Sequence, residues 1–132
     1  MTRPIVEISK EFRFEAAHFL PYAGEDSPNR RMHGHSFRAV ITLRGMPDPE
    51  TGLLKHFGEL AAALETVRRE LDHRLLNDVD GLGYPTLELI AIWIWDRLIE
   101  DFDALVAVAV HRDSCGESCI FRGEEEYEEG EE

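Results

Sequence analysis

"RMHGHSFRAV", residues Arg31–Val40, is the stretch on which the fold is read. His33, His35, Phe37 and Ala39 share one parity, and Gly34, Ser36 and Arg38 the other. Successive side chains of a strand point to opposite faces, so this period of two predicts a half-buried strand. The strand is expected from about His35 to Arg44, with Phe37, Ala39, Ile41 and Leu43 facing the core. "GMPDPETG" then breaks it, through Gly45, Pro47, Pro49 and Gly52. His33 and His35 therefore project from the same face as the apolar row.

A second alternating segment precedes it. In "IVEISKEFRFEAAHFL", Phe12, Phe14, Ala16 and His18 oppose Arg13 and Glu15. If the two strands form an antiparallel hairpin, His18 and the His33/His35 pair meet at one end. The connecting loop, Phe19 to Met32, has 14 residues. That is long for a hairpin, and long loops in compact domains tend to be functional. Gly34 is expected to let the backbone bend so that both neighbouring imidazoles reach one point. Three imidazoles with a fourth position open is the pattern of catalytic zinc, whereas a closed cage of four is structural. An isolated H-x-H is more often a pair of hydrogen-bonded strand histidines; the matching parity of His18 reverses that preference. The set lacks thiolates, which argues against copper(I) and iron–sulfur chemistry and leaves nickel or iron(II) as alternatives to zinc.

Two helices follow. Phe57, Leu60, Ala61, Leu64, Val67 and Leu71 lie on a 3.6-residue stripe. After Gly81, Gly83 and Pro85, Thr86 is suited to cap a helix with Leu87, Ile90, Ala91, Ile94 and Leu98 as its buried stripe. "DALVAVAVHR" and "CIFRGE" read as two more strands about a turn at Gly116. The order ββααββ predicts an α+β fold: a four-stranded antiparallel sheet with two helices on one face. "LDHRLLND" ends the first helix, where Asp72 beside His73 would orient and charge an imidazole. A histidine there also suits the negative end of the helix dipole, and taken alone that reading is preferred.

The 132 residues suffice for one domain, expected to span residues 1–123. Seven of the 27 acidic residues fall in the last ten, "GEEEYEEGEE", and setting them aside leaves −6 of the net charge of −13. Residues 124–132 are expected to be a disordered acidic tail. The acidic balance argues against a nucleic-acid partner, which needs a basic face to displace counterions. No segment is long and apolar enough for a membrane span, and no secretory leader is apparent, so the default expectation is cytoplasmic. Cys115 and Cys119 are too few for a disulfide framework and are read as small residues in a turn.

Taken in order, "FEAAH", "HGHSF", "LDHRLLND", "PTLE…IWIWD" and "CGESCIFRGE" resemble the tetrahydropterin synthase family, over roughly Ile5 to Gly123. The likeness is greatest to its 6-carboxy-tetrahydropterin synthases of queuosine biosynthesis. The resemblance implies the tunnelling fold, trimeric barrels stacked into a homo-hexamer, and active sites at subunit interfaces. It implies Zn2+ held by His18, His33 and His35, and it raises Asp72–His73 from a capping pair to a catalytic pair. It places Asp113, with Thr86 and Glu88, against a pterin ring, whose amidine-like edge a carboxylate can accept. The implied reaction is a lyase step: 7,8-dihydroneopterin triphosphate to 6-carboxy-5,6,7,8-tetrahydropterin, with release of acetaldehyde and triphosphate. The sequence departs from the family at three points. Asn29 stands where the family carries a catalytic cysteine, Asp113 where it carries glutamate, and His56, after Lys55, where it commonly has aspartate. An amide cannot act as a thiolate base. The departure at Asn29 keeps two alternatives open: a dihydroneopterin aldolase-like activity in folate synthesis, and a non-catalytic pterin or zinc-binding module.

Overall fold

Thirteen residues of alternating burial form the first strand, β1 (Val6–His18), in a computed structural model that describes residues 2–125. β1 pairs antiparallel with β2 (His33–Gly45), in a register that sets Phe12 against Ala39, Phe14 against Phe37, Ala16 against His35 and His18 against His33. Directly opposed residues of an antiparallel pair share a face. The register therefore builds one apolar row across both strands, with Phe14 and Phe37 stacked at 4.9 Å. The hairpin ends on the three histidines.

The apolar row is covered by α1 (Phe57–Leu71) and α2 (Leu87–Leu98). α1 buries Leu60, Leu64, Val67 and Leu71. Phe57, placed on that stripe by its spacing, is 48% exposed at the first helical position, because periodicity fixes a face and not how far the sheet extends beneath it. α2 buries its expected stripe and also Trp93, whose indole N–H donates to the Asp80 carbonyl at 3.0 Å. Thr86 caps α2, its Oγ1 accepting from the Leu89 N–H at 3.2 Å. Each fully buried Leu, Ile or Phe contributes roughly 1.5–3 kcal/mol.

Among the described residues the sheet has five strands, not four. β4 (Leu105–Arg112) pairs antiparallel with β2, and β5 (Glu117–Phe121) with β4. The added strand, β3 (Arg74–Leu75), runs parallel to β1 on its other side, so the chain order is ββαβαββ and the sheet order β3-β1-β2-β4-β5. Two residues are too few to show a period. The strand exists because His73 takes a left-handed conformation (φ 58°), turning the chain out of α1, and donates its backbone N–H to the Glu15 carbonyl at 2.6 Å. Both helices lie on one face, as expected, and among the described residues nothing covers the opposite face. The acidic tail lies outside the described residues from 126 onward. Among the described residues no helix is long and apolar enough to cross a membrane.

Candidate functional site

At the end of the covered face, His18, His33 and His35 each offer one ligand atom, all within 4.8 Å of one another. His18 is fully buried. Its Nδ1–H donates to the Pro85 carbonyl at 2.9 Å, and the His33 Nδ1–H donates to the Arg31 carbonyl at 2.7 Å. With Nδ1 protonated, a neutral imidazole presents Nε2 as an acceptor. The Nε2 atoms of His18 and His33 then face each other at 3.0 Å, lone pair to lone pair, with no proton of their own to share. His35 Nε2 is buried and finds no hydrogen-bond partner among the described residues. These nitrogens want a cation between them. A tetrahedral ion about 2.0–2.1 Å from each nitrogen would set its ligand nitrogens about 3.3 Å apart, and the His18–His33 separation is close to that. The carbonyls holding Nδ1 are contacts of the kind that fix the tautomer of metal-ligating histidines.

Electrostatics agree with that use. Burial drives the His18 pKa down to about 4, against the Pro85 hydrogen bond, which acts the other way. Burial, and then the charge of Arg112, pushes His35 below its ordinary value. Both rings are therefore neutral near pH 7, the form that binds metal. Gly34 has no part in aiming them. It lies in regular strand opposite Ala17, and a side chain there would meet only the Ala16 carbonyl at 3.6 Å. The period of two already sends both neighbours to one side.

The remaining sequence-predicted residues fall elsewhere around the sheet. Asp72 and His73 sit at the β1 edge. The His73 Nδ1 lies 2.9 Å from Asp72 Oδ2, which also accepts from Arg68 at 2.9 Å, while Asp72 Oδ1 accepts the Glu15 backbone N–H at 2.9 Å. That backbone bond, then the His73 contact, holds the Asp72 carboxyl below its usual range. The His73 side chain is 79% exposed. Asp113 lies on the bare face, in the turn between β4 and β5. Both its oxygens are taken by the Arg38 guanidinium, at 2.9 and 3.0 Å, and that fork lowers its pKa. No hydrogen bond joins the histidine trio to Asp72, His73 or Asp113 among the described residues. Asn29 lies in a 3-10 turn (Pro28–Arg30), exposed, its carbonyl accepting from the Leu20 N–H at 2.7 Å, two residues beyond His18. Thr86 adjoins the Pro85 carbonyl that holds His18. Glu88 is exposed in the first turn of α2, and its charge adds to the burial that raises the Cys119 pKa. Cys115 is exposed in its turn, whereas Cys119 is half-buried on β5. His56 caps α1 without a side-chain bond, one helix length (about 22 Å) from Asp72.

Sequence reasoning missed the Pro85 carbonyl, Arg112 and Asn77. Asn77 brackets Phe19, beside His18, with two hydrogen bonds of 3.0 and 2.9 Å. Each acts across a long sequence separation, where no periodicity signals a contact.

Comparison with known proteins bears on this arrangement. The pattern of the family described as 6-pyruvoyl tetrahydropterin synthase matches residues 7–124. A Synechocystis protein named 6-carboxy-5,6,7,8-tetrahydropterin synthase is 45% identical over 98 residues, covering 70% of this chain and 74% of the relative. The Bacillus subtilis protein of the same name is 32% identical, over 75% and 69%. Human 6-pyruvoyl tetrahydrobiopterin synthase is 31% identical, over 70% and 73%. The fold matches the Caenorhabditis elegans 6-pyruvoyl tetrahydropterin synthase structure with a TM-score of 0.83 at 23% identity, over 94% of this chain and 100% of that one.

Proposed function

The chain belongs to the 6-pyruvoyl tetrahydropterin synthase family, and from that membership we propose that it is a zinc-dependent lyase of the 6-carboxy-tetrahydropterin synthase type. Its substrate in this reading is 7,8-dihydroneopterin triphosphate, and its products are 6-carboxy-5,6,7,8-tetrahydropterin, acetaldehyde and triphosphate. The observation that carries the proposal is the convergence of three imidazoles, two with their Nδ1–H committed to carbonyls so that Nε2 is left as an acceptor. When bound there, zinc supplies a Lewis acid for the side-chain oxygens of the substrate.

The chain's own residues do the rest. Asp72, kept ionised by the Glu15 N–H and by His73, holds the His73 Nδ1–H and leaves Nε2 free to take a proton. His73 is thus the base in place of the family's thiolate. The Asn29 amide supplies hydrogen bonds and no proton acceptor of useful basicity. Asp113, with Thr86 and Glu88, orients the pterin, and Asp113 must exchange Arg38 for the pterin edge or accept both. Because the covered face presents the trio while Asp113 lies on the bare face and His73 at the sheet edge, a complete site takes groups from more than one chain. A homo-hexamer built through the sheets fits that requirement.

Asn29 in place of the family's thiol keeps a second reading, an aldolase-like cleavage that needs no thiol. Incubation with dihydroneopterin triphosphate and with dihydroneopterin separates the two. Acetaldehyde from the triphosphate is the expected result. Glycolaldehyde from dihydroneopterin supports the aldolase, and tight pterin binding with neither product supports a binding module.

A further inference from the structure

Arg112 ends β4 on the covered face, with the parity of buried Val108 and Val110. It stands at the same end of the sheet as the histidine trio, since β4 runs antiparallel to β2 with His111 opposite Arg38. Its charge reaches both His18 and His35 and disfavours their protonation. The side chain is only 17% exposed. One guanidinium nitrogen, Nη2, donates to Glu117 Oε1 at 2.8 Å across the β4–β5 pair. The Nε–H is buried and has no acceptor among the described residues.

A cross-strand ion pair explains Nη2 but not the orphaned Nε–H, because a buried cationic donor without an acceptor is costly. The surroundings sharpen the point. Neutral imidazoles add no negative charge, and a divalent cation among them would add two positive ones. Arg112 and Glu117 cancel. The spare donor remains, and with a divalent cation bound the chamber would carry an excess of positive charge.

We propose that Arg112 forms an oxyanion subsite beside the metal centre, which binds the anionic side-chain group of the ligand held there. The inference rests on the pterin reading above and adds to it a residue and a ligand charge. Guanidinium suits the task because its planar fork matches the oxygens of a carboxylate or a phosphate. Carboxylate and phosphate share that chemistry, and the test tells them apart.

Fluorescence titration of the zinc-loaded full chain compares 6-carboxypterin with neopterin, whose side chain is uncharged, and includes inorganic triphosphate as a competitor. Wild type is expected to bind 6-carboxypterin about ten- to a hundred-fold tighter than neopterin, the range of a charged hydrogen bond. Arg112→Met is expected to erase that preference while neopterin affinity and zinc content stay unchanged. Arg112→Lys, which keeps the charge without the fork, should recover part of it. If instead only competition by triphosphate weakens in Arg112→Met, the subsite holds phosphate. An unchanged preference and unchanged competition in both variants overturn the subsite while leaving the pterin reading intact. Should Arg112→Met not fold, Arg112→Lys decides alone, by whether it loses several-fold affinity for either anion. A wild type that binds neither pterin overturns the pterin reading first.

Discussion

His18 is the side chain with least freedom at this centre: no exposed surface, one ring nitrogen committed to Pro85, and the other 3.0 Å from His33. Its pKa is depressed to about 4, so the unfolded chain binds a proton there between pH 6.5 and 4 that the folded chain does not. Stability therefore rises with pH across that window and is lost as pH falls through it. The metal-free protein is expected to lose roughly 3 kcal/mol from this residue between pH 6.5 and 4, with a further contribution of the same sign from His35. Urea midpoints measured across the window check it, and a flat profile contradicts it. A second test concerns Asn29. Asn29→Cys is expected to raise turnover of dihydroneopterin triphosphate, by up to the 10²–10⁴-fold typical of a positioned base; an unchanged rate means that the pocket serves other chemistry. The trio was legible in the sequence because strand parity alone places His18, His33 and His35 on one side. Arg112 was not, because its relation to His35 depends on which strand lies next to β2.

Elements explain why the site is held rather than merely assembled. The α2 cap and the group that holds His18 are adjacent in the chain: Thr86 Oγ1 fixes the Leu89 N–H, and the Pro85 carbonyl just before it fixes His18. Thr86→Ala is expected to cost about 1 kcal/mol through the lost cap. Loosening Pro85 should also weaken zinc about ten-fold, as loss of a partner behind a metal-ligating histidine does. Chelator competition reads the second effect and thermal unfolding the first. Thr86→Ser, which keeps the hydroxyl, should restore both; a Thr86→Ala variant with unaltered zinc affinity would uncouple them. The helices and the four longer strands could be read from period and breakers. β3 could not, since its two residues are defined by the Glu15 backbone and by the unusual φ of His73. Phe57 shows the complementary failure, a residue on the right stripe but past the end of the surface it was meant to cover.

On the scale of the whole molecule, the bare sheet face and the β5 edge are the surfaces left without neighbours among the described residues. Ile120 on that edge strand is 48% exposed. An open edge with an apolar side chain invites pairing with another chain. A native mass several-fold above the 15.1 kDa of one chain is expected in sedimentation, and Ile120→Lys should lower it. A monomer at micromolar concentration would remove the hexamer. The division between the two sheet faces has a kinetic corollary. If protons and pterin contacts arrive from a neighbouring copy, specific activity depends on how much protein is in the tube. On serial dilution, turnover per chain should fall steeply while each chain keeps its ion, and adding an inactive His73→Ala copy, whose trio is intact, to a dilute His18→Ala copy, whose His73 is intact, should restore part of the rate through mixed rings.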